Sequence, residues 1–524
     1  MQPVFICVAT FIIKNIMQPN ILFIMADQMT AKALPFYGND KVIAPNLQKL
    51  ADTGVVFDNC YCNLPMCGPS RASLHTGKLP FSMQMYDNAS EFHADIPAMP
   101  HYLRDLGYRA ELAGKMHFVG PDQYHGYEKR HTTEIYPANF AWTVDWSKGR
   151  EYRPTNLTMA PVIESGTCIR TLQMDYDDEV EYYGTQAIYD LARKADDKPF
   201  FLTVSFTSPH SPFVISNEYW DLYNHDDIEL PAVPEIPLDE KDHLSRNLHY
   251  CQARHLYTVT DDHRRNARHA YYGMISYIDD KVGSLVSALE RSGLRDNTLV
   301  VFTSDHGEMM GERGMWFKQH FFEWAAHVPL IMSMPSRYKS SRVKENVSLV
   351  DLMPSFMDVA AESKFDAYID PVDGNSLISA MQGDTSTLTD VVISEFAADG
   401  STGPSRMVKK GHWKYMYLEG VDTLLYNLED DPNEINNLSG NKDHAEVEAE
   451  LKAAALSDWD PEYWRSTIAL NQKQRLKIHN VTNGDPNYVV KIRDDDDKRY
   501  IRNAGAADTK ARARLPLVEP AKPD

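Results

Sequence analysis

Three long apolar runs occur along the chain, and each leads into polar residues that can bind a metal or move a proton. An apolar run without alternating polar positions is typical of a strand that is buried on both faces of a parallel sheet. Ligands bind at the carboxyl edge of such sheets. The runs, each with the polar residues that follow it, are Ile21–Met25 with Asp27, Phe200–Phe206 with His210, and Thr298–Ser304 with Asp305 and His306. The pattern therefore predicts that these polar residues lie at one edge of a sheet.

Segments with helical spacing lie between the apolar runs. Between residues 270 and 290, apolar side chains recur near helical spacing, as expected for a helix that packs one face on a core. Alternating strands and helices predict an α/β fold with a large, mostly parallel central sheet sandwiched by helices. After about residue 385, short strand-like pieces separated by glycine and charged turns predict a smaller antiparallel sheet.

These patterns divide the chain into four predicted parts, which fits the usual size of domains. The acidic run Asp494–Asp497 and the segment after it are expected to form a solvated tail. The parts are a dispensable N-terminal extension over residues 1–16, a catalytic domain over 17–385, a small antiparallel-sheet domain over 386–458, and a C-terminal tail over 459–524.

The composition limits the class of function. The 524 residues are 43% apolar and 24% charged, which is typical of a globular enzyme. Lysine and arginine number 53 against 74 acidic residues, so that the formal charge is −21. Such a surface repels a phosphate backbone, and we expect no nucleic-acid partner. A site for an anion must therefore concentrate its positive charge locally.

The N-terminal run and the cysteines bear on the location of the protein. Val4–Ile13 is apolar, but it is too short to span a bilayer, no basic residue precedes it and no clear cleavage site follows it. The six cysteines form no dense disulfide or zinc pattern. We predict a cytoplasmic protein with no membrane partner; a periplasmic location is the alternative if the apolar run is a secretion signal.

The most specific motif is the run CGPSR at residues 67–71, followed by TG at residues 76–77. The proline favours a helix start, where free backbone N–H groups stabilise the negative form of a nucleophile, and Arg71 can reach back towards Cys67. A cysteine taken alone is more commonly a buried structural residue. The run nevertheless resembles the signature of the sulfatase family, in which this cysteine is oxidised after translation to formylglycine.

The resemblance implies an alkaline-phosphatase-like fold and a sulfate ester as substrate. It also implies that a formylglycine-generating enzyme acts on Cys67 during maturation. In the family the hydrated aldehyde is the nucleophile: one hydroxyl attacks sulfur, and the other later expels sulfate. A covalent intermediate of this kind divides one slow displacement into two easier steps.

The resemblance extends to a metal site. Asp305, His306 and the Gly-Glu pair after them resemble the second metal motif of the family. One divalent cation is therefore expected, with the ligands Asp27, Cys67, Asp305 and His306. Calcium is implied by the family, while manganese or magnesium stays open because an imidazole suits a softer ion. One position departs from the family, since Gln28 follows Asp27 where many sulfatases have a second aspartate.

The resemblance also assigns roles to five basic residues. Lys115 and Lys318, together with Arg71, would hold the sulfate oxygens. His210 would protonate the leaving alkoxide, and His117 would help to break down the sulfated intermediate. Taken alone, a lysine is more commonly a surface charge, and a histidine more commonly a loop residue with satisfied hydrogen bonds.

Longer blocks narrow the resemblance to the choline sulfatases within this family. The blocks are residues 25–28, 86–89, 114–123, 135–143 and 174–180. The similarity runs over nearly the whole chain from residue 20, and it implies choline-O-sulfate as the substrate. Choline sulfatases form homo-oligomers, so a dimer or tetramer is expected, in which the tail over residues 459–524 can reach a neighbouring subunit.

The choline group restricts the residues that can recognise it. A quaternary ammonium offers no hydrogen-bond donor, so aromatic faces and a carboxylate must bind it. Trp142 and Glu395 are the candidates, and the resemblance implies Asn88 as a contact to the leaving group.

Three other hypotheses stay open. A phosphonate monoester or phosphodiester hydrolase of the same superfamily would share the formylglycine and the Asp-His metal motif. A sulfatase acting on a sulfated carbohydrate would share the chemistry but would not need Trp142. A metal-binding protein with an unmodified Cys67 would only capture oxyanions.

Overall fold

The computed structural model describes residues 18–194, 196, 198–361, 367–482, 488–502 and 514–524, and the predicted extension over residues 1–16 lies outside them. The strands are β1 Asn20–Ala26, β2 Val55–Tyr61, β3 Arg109–Gly114, β4 Lys129–Arg130, β5 Gly166–Cys168, β6 Arg170–Thr171, β7 Phe200–Ser205, β8 Val214–Ser216, β9 Thr298–Ser304, β10 His327–Val328, β11 Leu330–Ser333, β12 Ser341–Ser348, β13 Val391–Phe396, β14 Ser405–Lys410, β15 Trp413–Leu418, β16 Asp422–Asn427 and β17 Arg514–Leu515. The α-helices are α1 Pro45–Asp52, α2 Cys67–Thr76, α3 Met99–Asp105, α4 Ala160–Ile163, α5 Leu172–Ala192, α6 Asn217–Trp220, α7 His243–Cys251, α8 Asp261–Arg291, α9 Glu323–Ala326, α10 Leu352–Ala361, α11 Ile378–Met381, α12 Ala445–Leu456, α13 Pro461–Val481 and α14 Asp496–Arg499.

In the described part of the chain, nine strands form the central sheet. β1 lies between β7 and β9 and pairs in parallel with both. The parallel arrangement continues from β7 to β3 and from β3 to β4. On the other side, β11 is antiparallel to β9 and to β2, β10 is antiparallel to β2, and β12 is parallel to β2. The predicted large, mostly parallel sheet is confirmed.

Alternate residues of β1 enter two separate cores. Ile21, Phe23 and Met25 pack in one core together with α2 and α10. Leu22 and Ile24 pack in the other, together with α5 and α8. Because successive side chains of a strand point to opposite faces, a strand that is covered by helices on both sides must be apolar at every position. This explains the uninterrupted apolar runs, and every residue of β1, β7 and β9 is buried.

The smaller sheet consists of β13, β14, β15 and β16, each antiparallel to the next. α12 packs on one face of it, where Leu451 and Ala455 contact Val408 and Tyr415 in a small separate core. The backbone N–H of Glu395 donates to the carbonyl oxygen of Asn63 at 2.8 Å, which attaches β13 to the segment after β2. The predicted small antiparallel sheet is confirmed, while the domain boundary at residue 385 stays a prediction.

The segment after residue 458 packs on the rest of the chain. α13 buries Ile468, Gln472 and Arg475, and β17 pairs with β6. Asp496 is also buried, and its carboxylate accepts a hydrogen bond from the Thr133 hydroxyl. The interpretation of the acidic run as solvated is therefore wrong at Asp496, because its carboxylate is buried against Thr133 and accepts a hydrogen bond there in place of water. The predicted contact of this segment with a neighbouring subunit stays a prediction.

The helices also bear on a possible membrane segment. Among the described residues, no helix is both long enough and apolar enough to cross a membrane.

Candidate functional site

Three elements of the fold meet at one point. Asp27 follows β1 and Asp305 follows β9, and the parallel pairing of these strands places the two aspartates close together. α2 begins at Cys67. The Cys67 Sγ atom lies 3.2 Å from Nε2 of His306 and 3.8 Å from Oδ1 of Asp27. The structure thus brings together the four residues that the sequence suggested as cation ligands.

The donor atoms of this group suit a divalent cation. One ligand atom from each of Asp27, Cys67, Asp305 and His306 lies within 4.8 Å of the others, and all four residues are buried. His306 Nδ1 donates a hydrogen bond to the carbonyl oxygen of Gly307 at 3.1 Å, which leaves Nε2 unprotonated and able to bind a metal. Carboxylate oxygens are ligands for calcium, magnesium and manganese, while an imidazole nitrogen suits a softer ion. The four residues could therefore hold one such ion.

Each buried carboxylate of the group has a cation beside it. Asp27 forms an ion pair with Lys115, and Asp305 accepts a hydrogen bond from Arg71 Nε at 2.8 Å. Burial acts to raise the pKa of Asp27, but the charges of Lys115, His210 and Arg71 together outweigh it and hold the pKa well below its usual range. Arg71 also donates to the carbonyl oxygen of Lys115 and to the hydroxyl of Ser205. Arg71 thereby joins α2 to the ends of β3 and β7.

Cys67 lies at the first turn of a helix whose residues are all buried. Burial acts to raise the pKa of its thiol, but the positive charges of Lys115 and Lys318 outweigh burial, and the pKa lies well below its usual value. The backbone N–H of Gly68 donates to Asn88 Oδ1 at 2.9 Å. Asn88 therefore fixes the start of the helix, and the surroundings stabilise negative charge at position 67.

His210 and Lys318 form a hydrogen-bonded pair. His210 Nδ1 donates to the carbonyl oxygen of Ser211 at 2.7 Å. Nε2 is therefore the acceptor for the Lys318 ammonium, which lies 2.8 Å away. Burial and the Lys318 charge lower the pKa of His210 to about 4. An anion bound at Lys318 would offset this repulsion and help His210 to hold a proton.

His117 and Lys115 share one aromatic neighbour, Tyr136. The His117 ring stacks on the Tyr136 ring with centroids 4.3 Å apart, and Lys115 Nζ lies 4.2 Å from the centre of the same ring. Neither nitrogen of His117 has a hydrogen-bond partner within the described residues, so both are available to a ligand. Burial lowers the pKa of His117. Tyr136 was not predicted as a site residue, although it lies in the block 135–143 that resembles the choline sulfatases.

Gln28 occupies the position where many sulfatases have a second aspartate. Its Oε1 accepts a hydrogen bond from Lys318 Nζ, and its Nε2 donates to the Glu308 carboxylate. Glu308 accepts two further bonds from backbone N–H groups, those of Met310 at 3.1 Å and Phe317 at 2.6 Å. Burial raises the pKa of Glu308 to about 7. Gln28 thus orients Lys318, a role that the sequence did not reveal.

A small cavity of about 80 Å³ has Cys67 in its wall. Trp142 also lines it, and the indole Nε1 of Trp142 has no hydrogen-bond partner within the described residues. The sequence-predicted residues in the wall are Cys67, Asn88, Trp142, His210 and Lys318. The residues in the wall that the sequence reasoning missed include Tyr136, Phe317, Asp399 and Arg502.

Glu395 is not among the residues that line this cavity, and its role in substrate binding stays a prediction. Its Oε2 accepts a hydrogen bond from the backbone N–H of Phe81 at 2.8 Å, and its Oε1 lies 3.7 Å from Arg406 Nε. Asp399, four residues further along, lines the cavity instead. Its Oδ2 accepts a bond from Thr155 at 3.2 Å, while its Oδ1 has no partner within the described residues. Burial and the charge of Asp87 raise the pKa of Asp399 to about 7.

Arg502 reaches the cavity from the predicted tail. Its guanidinium donates hydrogen bonds to the hydroxyl of Tyr136 and, at 3.0 Å, to Oε1 of Gln173. Its backbone N–H donates to the carbonyl oxygen of Ile135 at 2.7 Å. The only sequence signal was an isolated arginine in a segment rich in alanine and charge, so its role could not be predicted.

Comparison with known proteins identifies relatives over most of the chain. The family model described as Sulfatase matches residues 19–362, and the model described as N-sulphoglucosamine sulphohydrolase, C-terminal, matches residues 311–458. The choline-sulfatase of Rhizobium meliloti (strain 1021) is 41% identical over 471 residues, which cover 88% of this chain and 91% of that protein. The arylsulfatase of Clostridium perfringens (strain 13 / Type A) is 28% identical and covers 82% of this chain and 92% of that protein.

Solved structures are similar in fold. The phosphonate monoester hydrolase of Agrobacterium radiobacter superposes with a TM-score of 0.67 at 24% identity, covering 84% of this chain and 95% of that one. The structure of a protein in complex with its substrate D-glucosamine-2-N,6-O-disulfate superposes with a TM-score of 0.66 at 21% identity. The match covers 85% of this chain and 99% of that one. At this level of identity the likeness shows the fold, and the predicted fold class is confirmed.

Proposed function

The chain belongs to the sulfatase family and is a sulfuric ester hydrolase; from this premise we propose that it hydrolyses choline-O-sulfate to choline and sulfate. One observation carries the choice of substrate. The cavity at Cys67 contains an anion-binding end with Lys318, and also Trp142 and the carboxylate of Asp399. A substrate with a sulfate at one end and a quaternary ammonium at the other matches both ends.

The sulfate end would be bound by the cations of the site. Lys318, whose hydrogen-bond partners are neutral side chains, would bind one sulfate oxygen, and Lys115 would bind another while it neutralises Asp27. A divalent cation held by Asp27, Asp305, His306 and residue 67 would polarise the ester. Oxidation of Cys67 to formylglycine would supply the hydrated aldehyde as nucleophile, and the positive charges of Lys115 and Lys318 beside position 67 would favour negative charge there.

The leaving alkoxide needs a proton. His210 Nε2 lies at the cavity wall beside Lys318. When the Lys318 ammonium donates to a sulfate oxygen instead of to His210, Nε2 of His210 can hold a proton. His210 can then donate this proton to the departing choline oxygen. His117, whose ring nitrogens have no hydrogen-bond partner within the described residues, would then assist the release of sulfate.

The choline end would be bound by an aromatic face and a carboxylate. The indole face of Trp142 would attract a quaternary ammonium, and Oδ1 of Asp399, which has no partner in the described part of the chain, would supply the opposite charge. The small volume of the cavity, about 80 Å³, favours a compact ester over a sulfated oligosaccharide. A homo-oligomeric state, which the resemblance to choline sulfatases implies, and a cytoplasmic location, which the cysteines and the N-terminal run suggest, are also part of the proposal.

Steady-state kinetics on three esters test the proposal. The formylglycine content at position 67 is first measured by peptide mass spectrometry, and the metal content is set with a chelator followed by calcium or manganese. We expect the highest kcat/KM for choline-O-sulfate, a lower value for 4-nitrophenyl sulfate, and the lowest for a phenylphosphonate monoester. A phosphonate ester that reacts faster than both sulfate esters would instead establish a phosphonate monoester hydrolase.

Two variants connect the activity to the site. Cys67→Ala should abolish turnover without unfolding the protein, whereas Cys168→Ala, which alters a buried cysteine of β5, should keep it. Trp142→Ala should lower kcat/KM about tenfold for choline-O-sulfate and far less for 4-nitrophenyl sulfate. Equal losses on both esters would remove the argument for a quaternary ammonium.

A further inference from the structure

Helix α13 lies across two loops that carry residues of the cavity wall, and Arg475 makes the main contact. The two terminal nitrogens of its guanidinium donate to the two carboxylate oxygens of Asp87 at 2.6 and 2.9 Å. Its Nε donates to Asn471 Oδ1 at 2.7 Å. The Asp87 side chain is fully buried and that of Arg475 nearly so. A buried bidentate pair of this kind has a defined geometry, which a lysine could not reproduce.

Asp87 connects the two loops to each other. Its Oδ1 accepts hydrogen bonds from the backbone N–H of Ala89 at 3.0 Å and from the Ser90 hydroxyl at 3.1 Å. Its Oδ2 accepts from the backbone N–H of Val144 at 3.3 Å. Arg475 also donates to the Thr143 hydroxyl at 3.3 Å. One ion pair therefore holds the loop around residue 88 and the loop around residue 143 in a single arrangement.

Each loop carries a residue of the cavity wall next to this ion pair. Asn88 follows Asp87 and binds the backbone N–H of Gly68 beside Cys67. Trp142 precedes Thr143. One turn earlier on α13, Gln472 accepts a hydrogen bond from the backbone N–H of Trp146 at 3.1 Å. The same helix face thus contacts the Trp142 loop at two points.

We propose that Arg475 is a positioning residue that sets the distance and orientation of Trp142 and Asn88 at the leaving-group end of the cavity. This inference rests on the proposed function, because the leaving group is taken to be choline. Arg475 does not line the cavity itself, and it acts through Asp87. Loss of the guanidinium would leave a buried carboxylate without its countercharge, and both loops would lose their common anchor.

The test compares Arg475→Met and Arg475→Lys with the exposed Lys477→Ala on the same helix, using choline-O-sulfate and 4-nitrophenyl sulfate. For Arg475→Met we expect kcat/KM on choline-O-sulfate to fall about ten- to a hundredfold, mainly through KM, and to fall far less on the aryl ester. Arg475→Lys should show a smaller loss of the same selective kind. Lys477→Ala should match the wild type on both esters.

Chemical rescue separates positioning from general stability. In Arg475→Ala, millimolar guanidinium should restore part of the lost affinity for choline-O-sulfate, while the same salt should not improve the wild-type enzyme. If Arg475→Met fails to fold, the test uses Arg475→Lys, in which kcat/KM should again fall further on choline-O-sulfate than on 4-nitrophenyl sulfate. Losses of equal size on both esters, or an unchanged KM for choline-O-sulfate, would overturn the inference. A wild-type enzyme without activity on choline-O-sulfate would instead refute the proposed function.

Discussion

Two buried carboxylates of the site are each balanced by a buried cation. Asp27 lies against Lys115, and Asp305 against Arg71, and all four side chains are fully buried. Removing one member of such a pair leaves an uncompensated charge in the interior, which costs about 3–5 kcal/mol. Lys318 differs, because its hydrogen-bond partners are neutral side chains. Its charge is therefore available to a bound anion.

Asp399 should make the substrate preference depend on pH. Burial raises its pKa to about 7, so that the carboxyl is mostly protonated below this pH and mostly ionised above it. A cation binds to the ionised form. We therefore expect the ratio of kcat/KM for choline-O-sulfate to that for 4-nitrophenyl sulfate to rise several-fold from about pH 6 to about pH 8.

The matched variant for this prediction is Asp399→Asn, which keeps the shape of the side chain and cannot ionise. In this variant the ratio of kcat/KM for choline-O-sulfate to that for 4-nitrophenyl sulfate should no longer rise with pH. At about pH 8 the ratio should be lower than in the wild type. A wild-type ratio that does not change with pH, or one that rises equally in Asp399→Asn, would contradict the role of Asp399.

Among the secondary-structure elements, the strands buried on both faces, the helix between residues 270 and 290 and the small antiparallel sheet were predictable, while several other elements were not. β1, β7 and β9 follow the uninterrupted apolar runs almost residue for residue. β11 has four residues and pairs antiparallel with both β9 and β2. A segment this short carries no signal for its direction, since its partners are distant in sequence. α13 was missed for a related reason, because its buried face is polar at Gln472 and Arg475 and depends on Asp87 for its partner.

Replacing Glu395 should affect the attachment of β13 and leave the substrate preference unchanged. Glu395→Ala removes the acceptor for the N–H of Phe81 and the carboxylate near Arg406. We expect a lower melting temperature, corresponding to a loss of about 1–3 kcal/mol for the buried N–H left without an acceptor, and an unchanged ratio of kcat/KM for the choline and aryl esters. Glu395→Gln, which can still accept from Phe81, should lose less stability. A selective loss on choline-O-sulfate in Glu395→Ala would establish the substrate role that the sequence implied.

Taken as a whole, the molecule carries a formal charge of −21 yet collects cations around one buried position. Lys115, Lys318 and Arg71 come from segments that are widely separated along the chain, and Arg502 joins them from near its C-terminal end. The predicted concentration of positive charge is therefore a property of the assembled fold. The metal group depends on the same assembly, since its residues follow different strands or begin a helix.

Cation binding should stabilise the whole molecule, because an unfolded chain does not bring the four ligands together. Calcium or manganese at about a hundred times its Kd should add about 2.7 kcal/mol to the free energy of unfolding. The melting temperature of chelator-treated protein should rise when the ion is restored. Asp305→Asn should weaken this response, while Asp399→Asn should retain it. A melting temperature that no divalent ion changes would exclude the metal site, whatever the activity.

Local patterns alone were enough to predict the central strands, the motif at Cys67 and the convergence of Asp27, Asp305 and His306 on one edge. Each of these features depends on a short run of sequence, in which burial on two faces or the start of a helix determines the residue types. The choice of Asp399 over Glu395 for the cavity, and the participation of Arg475 and Arg502, came from the fold. Which way a side chain points depends on register and on where the chain leaves a strand, and a buried charge acquires its role from partners hundreds of residues away.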